Sequence, residues 1–205
     1  MTISQMLLVL WLLFVLLMKD QTSVQDVQNP MIALLTVLLA PALLVNGVLK
    51  SYWGRPRPYL TEEFGGEFPY VSPGTITDLC QKNCSFVSGE TSAAFWLLAL
   101  VVFLPKSRQT AATSAVVAFG VSVSLLRMGF GRHYFSDVVM SALFTVTILV
   151  AVRALLTSQN GERALVVIAD GSNALTAFFQ RTMGFTPSVE AKNRRLAEKE
   201  ADNAV

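Results

Sequence analysis

His133 is the only histidine in the chain, and it stands six residues after Arg127 and four before Asp137. An imidazole is a usable nucleophile when a carboxylate accepts from one ring nitrogen and leaves the other free. If His133 and Asp137 share a helix, their i,i+4 spacing puts them on one face. Two further islands supply what an anionic substrate needs. Lys50 is followed seven residues later by Arg57-Pro58, and Ser88-Gly89-Glu90 precedes a long apolar run. A helix beginning at Ser88 would present free N–H groups and the positive end of its dipole. Each island also has an ordinary structural reading. Cations at a helix end snorkel to lipid headgroups, a serine before a helix is an N-cap, and a lone histidine is more often structural. Together the three describe a site for phosphate with a nucleophile in it.

The rest of the chain must position these islands, and its composition says how. Of 205 residues, 53% are hydrophobic and 15% charged, with a net charge of +2 and a mean hydropathy of +0.51. Soluble domains carry about 25% charged residues. The apolar residues come in blocks: 6–18, 31–49, 86–104 (interrupted by Glu90), 110–126 and 138–152. A spanning helix needs about 20 residues, and the blocks with their polar flanks predict an all-α, polytopic membrane bundle of about five spanning helices. The first block is short enough to be a signal-peptide core. No basic residue precedes it and no small-residue cleavage site follows, so a short spanning helix is the preferred reading. Pro41 falls inside the second block, where a membrane helix can re-satisfy the freed carbonyl.

Five spans put Lys19, Lys106, Arg108, Arg153, Arg163, Arg181, Lys192, Arg194, Arg195 and Lys199 on one side and Lys50, Arg55, Arg57, Lys82, Arg127 and Arg132 on the other, ten against six. The more basic side faces the cytoplasm, which places all three islands outside. Cys80 and Cys84, the only cysteines, lie in the same outer loop, where an oxidising compartment would allow a disulfide. Two free thiols are the equal alternative. The organisation expected is a membrane domain over 1–158 with an outer loop at 50–89. An interfacial C-terminal helix follows near 163–180, interrupted by Asp170-Gly171-Ser172-Asn173, and then a charged cytoplasmic tail from Glu190, the two together filling 159–205.

The three islands in this order resemble the type 2 phosphatidic acid phosphatase family, whose constellation is shared by the soluble haloperoxidases. The family pattern is Lys, six residues, Arg-Pro; then Pro-Ser-Gly-His; then Ser-Arg, five residues, His, three residues, Asp. Here the matching residues are Lys50, Arg57-Pro58; Val87-Ser88-Gly89-Glu90; and Leu126-Arg127, His133 and Asp137. The spanning helices set the chain apart from the soluble branch. The family's six spans place three before the first island, and this chain has room for two.

The resemblance implies roles. His133 attacks phosphorus and forms a phospho-histidine, Asp137 orients it, and Lys50, Arg57, Arg127, Ser88 and the Gly89 N–H hold the phosphoryl oxygens. Neither metal nor cofactor is required. Val87 stands for Pro and Leu126 for Ser. Glu90 stands for the second histidine, which in the family protonates the leaving oxygen. Either Glu90 is a tuned acid or the leaving group needs little protonation. The function implied is an integral-membrane lipid phosphatase releasing inorganic phosphate from a lipid phosphate or diphosphate. Phosphatidic acid, phosphatidylglycerol phosphate, polyprenyl diphosphates and lipid A are the substrates of the class. The alternatives are a lipid-phosphate binder that lost turnover with the second histidine, and a scaffold or transporter whose islands only contact headgroups. The partners expected are a phosphorylated membrane lipid and the bilayer, with no nucleic acid. The location expected is a bacterial inner membrane with the site on the periplasmic face.

Overall fold

The computed structural model describes residues 3–18 and 24–182, so the charged tail and Lys19 lie outside the described residues. Six helices account for most of what is described. They are α1 (Ile3–Met18), α2 (Val24–Tyr52), α3 (Gly89–Phe103), α4 (Lys106–Gly129), α5 (Phe135–Leu156) and α6 (Gln159–Thr182). No strand occurs among the described residues. Each of the five apolar blocks became a helix. Three of them, α2, α4 and α5, are long and apolar enough to cross a membrane, whereas Met6–Leu16 and Gly89–Phe103 are apolar but shorter. The second half of α3, Leu97–Phe103, is 3-10 helix, which rises about 2.0 Å per residue against 1.5 Å and stretches the element for its length. The polar interruption at Asp170–Asn173 does not break α6, which runs through it.

The helices bury small and hydroxylated residues against one another and turn large apolar ones outward. Leu7, Phe14, Phe119, Leu125, Leu143 and Val150 are exposed on the bundle surface. In water such a surface would be costly, and lipid is its natural solvent. Between helices, hydroxyls meet: Thr91 with Ser124 at 3.1 Å and Ser92 with Thr145 at 2.8 Å. These bonds tie α3 to α4 and to α5. A Cβ added at Gly120 would stand 2.8 Å from the Phe95 ring, so glycine is what lets α4 close on α3. Trp96, fully buried, donates its indole N–H to the Ala33 carbonyl at 2.8 Å and locks α3 to α2. Helix α6 seats Leu165 against Leu16 and Val27.

Helix α2 widens to a π-helix over Leu38–Leu49, beginning just before Pro41. Proline removes a donor and crowds the preceding turn, and here the Asn46 side chain donates to the Pro41 carbonyl at 2.5 Å. The distortion runs up to Leu49, immediately before Lys50, at the end of the bundle where the three islands gather. Between α2 and α3 the outer loop is folded rather than loose. Trp53 stacks on Phe86 with centroids 4.6 Å apart and donates to the Pro73 carbonyl. Gly54 adopts a positive φ of 70°, and a Cβ there would lie 1.5 Å from the Thr77 carbonyl oxygen.

Gly54→Ala is therefore expected to lower stability. The left-handed backbone alone costs about 1–3 kcal/mol, and the clash adds to it. Thermal unfolding of the purified protein in detergent measures this, and an unchanged midpoint contradicts the packing described.

Candidate active site

The C-terminal end of α2, the N-terminal ends of α3 and α5 and the C-terminal end of α4 meet at one end of the bundle. They bring together all eight residues that the sequence marked as catalytic or phosphate-binding. Ser88 is the N-cap of α3, its hydroxyl accepting from the Thr91 N–H at 3.3 Å and from the Thr91 hydroxyl at 3.0 Å. Both contacts use its lone pairs, so its own hydrogen remains to donate. Gly89 follows in the first turn. A Cβ there would sit 3.2 Å from Lys50 Nζ and 2.9 Å from Asn46 Oδ1, so glycine lets the lysine reach the start of α3.

Helix α5 begins at Phe135, so His133 lies in the turn before it and not on one helical face with Asp137. The geometry differs accordingly from the spacing argument. His133, 1% exposed, places Nδ1 2.7 Å from the Ser85 carbonyl and 3.7 Å from Asp137 Oδ2. A carbonyl only accepts, so Nδ1 carries a hydrogen, and in the neutral imidazole Nε2 then keeps its lone pair. Ser85 thus sets the tautomer. Its hydroxyl donates to Asp137 Oδ2 at 2.5 Å, and the Tyr134 N–H donates to the same oxygen at 3.0 Å. Asp137 holds the histidine largely through Ser85.

The other Asp137 oxygen receives Arg55 Nη1 at 2.5 Å, with both side chains buried. Arg55 also donates to the Val71 carbonyl at 2.7 Å and to Ser136 Oγ at 2.9 Å, and its guanidinium lies 3.9 Å from the centre of the Tyr134 ring. Neither Arg55 nor Ser85 was among the candidate site residues. Arg55 was counted only as an outer cation. Its one sequence signal is the Gly54-Arg55-Pro56-Arg57-Pro58 run, which gives two arginines the same stiff setting without telling them apart. Ser85 carries no signal of its own, because the backbone carbonyl that matters belongs to every residue.

Arg57 is anchored by Asn83, whose backbone oxygen accepts from Nε at 3.1 Å and from Nη2 at 3.0 Å, and whose side-chain oxygen accepts from Nη2 at 2.8 Å. Burial works against its charge and pulls its pKa down from the ordinary value, and the nearby Glu90 carboxylate opposes that. Arg127 Nη2 pairs with Glu90 Oε1 at 2.8 Å, and Glu90 Oε2 stands 3.6 Å from His133 Nε2. Lys50 interacts with Glu90, Arg57, Arg127 and Asp137. Among the described residues, His133 Nε2, Glu90 Oε2 and Arg127 Nε are buried without a hydrogen-bond partner. Buried polar atoms are ordinarily satisfied, and these three are clustered. Cys80 and Cys84 are paired as a disulfide, with Cα atoms 5.7 Å apart, in the loop that carries Asn83 and Ser85. Of the two departures beside the islands, Val87 is buried against Val45, Leu49 and Phe86, and Leu126 is exposed on the bundle surface.

Residues 29–160 match the PAP2 superfamily, and the chain belongs to it. It is an integral membrane protein of that family. A lipid A 4'-phosphatase of Rhizobium leguminosarum is 41% identical over 141 residues, which is 69% of this chain and 60% of that protein. One of Rhizobium etli is 42% identical over 127 residues, 62% of this chain and 49% of that protein. One of Francisella tularensis subsp. novicida is 45% identical over 108 residues, 52% of this chain and 48% of that protein. The chain spans between about half and three-fifths of the length of these relatives. No solved structure matches it.

Removing Arg55 leaves a carboxylate buried without its cation. Breaking such a pair costs roughly 3–5 kcal/mol. Arg55→Ala is expected to lose stability on that scale, and the Asp137→Asn background is expected to recover much of it. A double-mutant cycle by thermal unfolding decides, and additive losses would refute the coupling.

Proposed function

We propose that this chain is an integral-membrane phosphatase that removes a phosphoryl group from a phosphorylated lipid through a phospho-histidine on His133. The observation that carries the reading is the buried Nε2 of His133, which has no hydrogen-bond partner and stands 3.6 Å from the Glu90 carboxylate that Arg127 pairs with. In the first step Nε2 attacks phosphorus, the N–P bond forms and the bond to the leaving oxygen breaks. In the second, water attacks the same phosphorus, the N–P bond breaks, and inorganic phosphate leaves with the imidazole restored. Lys50, Arg57 and Arg127 hold the phosphoryl oxygens, with Ser88 and the N-terminus of α3 donating to them. Charge preorganised in this way supplies most of the acceleration in phosphoryl transfer. The route draws on these side chains and needs no metal.

Glu90 has a part that its surroundings define. His133, with Lys50 and Arg127, holds it as an anion, its pKa well below the usual carboxylate range. A phosphoryl group entering the cluster brings a second anion beside it. A singly protonated phosphoryl group brings a proton of its own, which it can share with Glu90 at hydrogen-bond distance. That proton goes to the leaving oxygen in the first step, and Glu90 takes one from water in the second. The same carboxylate favours the second reading, a lipid-phosphate binder without turnover. Glu90 stands where the family has its second histidine and occupies the cations itself.

Three considerations bear on the substrate and its side of the membrane. The related proteins are named as lipid A 4'-phosphatases, which makes a lipid A-type phosphate the favoured substrate class. The site lies at the end of the bundle carrying the disulfide and away from Lys106, Arg108 and Arg153. That supports a bacterial inner membrane with the site on its periplasmic face.

Phosphate release from a panel of lipid phosphates in detergent tests this. His133→Ala is expected to lower release by a factor on the order of 10³ or more, and release near the wild-type level overturns the mechanism. Glu90→Gln is expected to lose roughly 10²–10⁴-fold, most with the poorest leaving groups. If wild type binds lipid phosphates and releases nothing, the second reading stands. EDTA is expected to leave the rate unchanged.

A further inference from the structure

His133 stands between two carboxylates, and neither touches it. Glu90 Oε2 lies 3.6 Å from Nε2 and Asp137 Oδ2 lies 3.7 Å from Nδ1, both beyond a hydrogen bond. Each carboxylate is held by an arginine on its other oxygen, Glu90 by Arg127 at 2.8 Å and Asp137 by Arg55 at 2.5 Å. The two are not held alike. Glu90 Oε2 has no hydrogen-bond partner, whereas Asp137 Oδ2 accepts from the Ser85 hydroxyl at 2.5 Å and from the Tyr134 N–H at 3.0 Å. Asp137 is thus satisfied on both oxygens without the histidine. The Nδ1 hydrogen goes instead to the Ser85 carbonyl, 2.7 Å away. One residue therefore acts twice. Its hydroxyl keeps Asp137 occupied, and its carbonyl takes the hydrogen that Asp137 would otherwise accept.

The difference matters to a nucleophile. A carboxylate against a ring N–H favours the imidazolium, whereas a neutral carbonyl orients the ring with much less bias towards its charged form. Only the neutral ring has a lone pair to attack with. The other charges at the site are Lys50 from α2, Arg127 from α4 and Arg57 from the outer loop, all clustered about Glu90. Ser85 makes no hydrogen bond to any of them, so a change at Ser85 isolates the Asp137 side of the ring.

We propose that Ser85 is a positioning residue, a brace that holds the Asp137 carboxylate off His133 and keeps the ring available as a neutral nucleophile. The proposal rests on the phospho-histidine reading and adds to it that the histidine leans on a neutral carbonyl, with the carboxylate one step behind. Without the Ser85 hydroxyl, Asp137 Oδ2 loses a donor, and the lone pair set free takes the Nδ1 hydrogen. The ring then holds its second proton to higher pH, and fewer molecules carry the attacking form.

Because His133 is the only histidine, a single imidazole reports on the site. The full chain, isotopically labelled in the imidazole nitrogens and purified in detergent on a tag without histidine, is titrated by NMR. The neutral wild-type ring is expected to carry its hydrogen on Nδ1. Ser85→Ala is expected to titrate at a midpoint about one pH unit higher, the low end of the effect of an opposite charge brought into contact. Adding Asp137→Asn to Ser85→Ala is expected to abolish that rise, since a neutral amide does not favour the imidazolium. A wild-type hydrogen on Nε2, an unmoved midpoint in Ser85→Ala, or a rise that survives Asp137→Asn overturns the proposal. The second arm is phosphate release from phosphatidic acid across pH. Ser85→Ala is expected to lose about tenfold on the acid side, where one unit of midpoint leaves roughly a tenth of the neutral histidine, and the loss closes as pH rises. A loss equal at every pH marks a structural role alone and overturns the brace. If the ring titrates as expected and no lipid phosphate is hydrolysed, the phosphatase reading fails and the brace stands as the device that keeps the ring neutral.

Discussion

A buried charge must be paired, and the pairing of Arg55 with Asp137 organises the whole outer end of this bundle. Both groups are shut off from water, where an unpaired ion costs several kcal/mol. The demand is met from every direction. Asp137 collects Arg55, the Ser85 hydroxyl and the Tyr134 N–H. Arg55 in turn fastens to the Val71 carbonyl, Ser136 and the Tyr134 ring. A loop of more than thirty residues between α2 and α3 is thereby pinned to the start of α5. His133 gains its orientation from the same arrangement, since the residue that caps Asp137 with its hydroxyl also offers its carbonyl to Nδ1. The histidine is held so closely because the charge pair behind it is itself held in place.

The bundle contributes a second constraint, the meeting of helix ends. Helices α3 and α5 both begin at the site, so the positive ends of two dipoles converge there. Ser88 caps the first, and Asp137 accepts from the N–H of the residue before the second. Close approach depends on small residues. Glycine at 120 admits the Phe95 ring, and glycine at 89 admits Lys50. The hydroxyl pairs between α3, α4 and α5 then fix the rotation of helices that lipid alone would leave free to turn.

What could be read from the chain follows from which interactions are local. Apolar blocks without charges predict helices in lipid whatever their neighbours do, and each of the five became one. Their ends were less legible, because a helix of the length of α1 or α3 crosses only with the help of its surroundings. Among the candidate site residues, those drawn from the three islands converged, since each sits at a helix end whose position the hydropathy blocks determine. The relation between His133 and Asp137 was misread in one respect. Four residues apart suggests one helical face, but α5 begins only at Phe135 and the histidine is held by a backbone carbonyl from a distant loop. Backbone groups leave no mark in a sequence. Arg55 was visible as a charge and not as a partner, because its carboxylate lies 82 residues away.

The two halves of the outer end divide recognition between them. On one side of the backbone that runs through Leu49-Lys50 and Ser85-Phe86 are three cations, the His133 imidazole and a carboxylate. On the other is a wall with hardly a polar atom to offer. An ion at that wall or an apolar chain among the cations would each be unfavourable. Glu90 completes the polar side. Its carboxylate pairs with Arg127 at 2.8 Å and stands 3.6 Å from His133 Nε2.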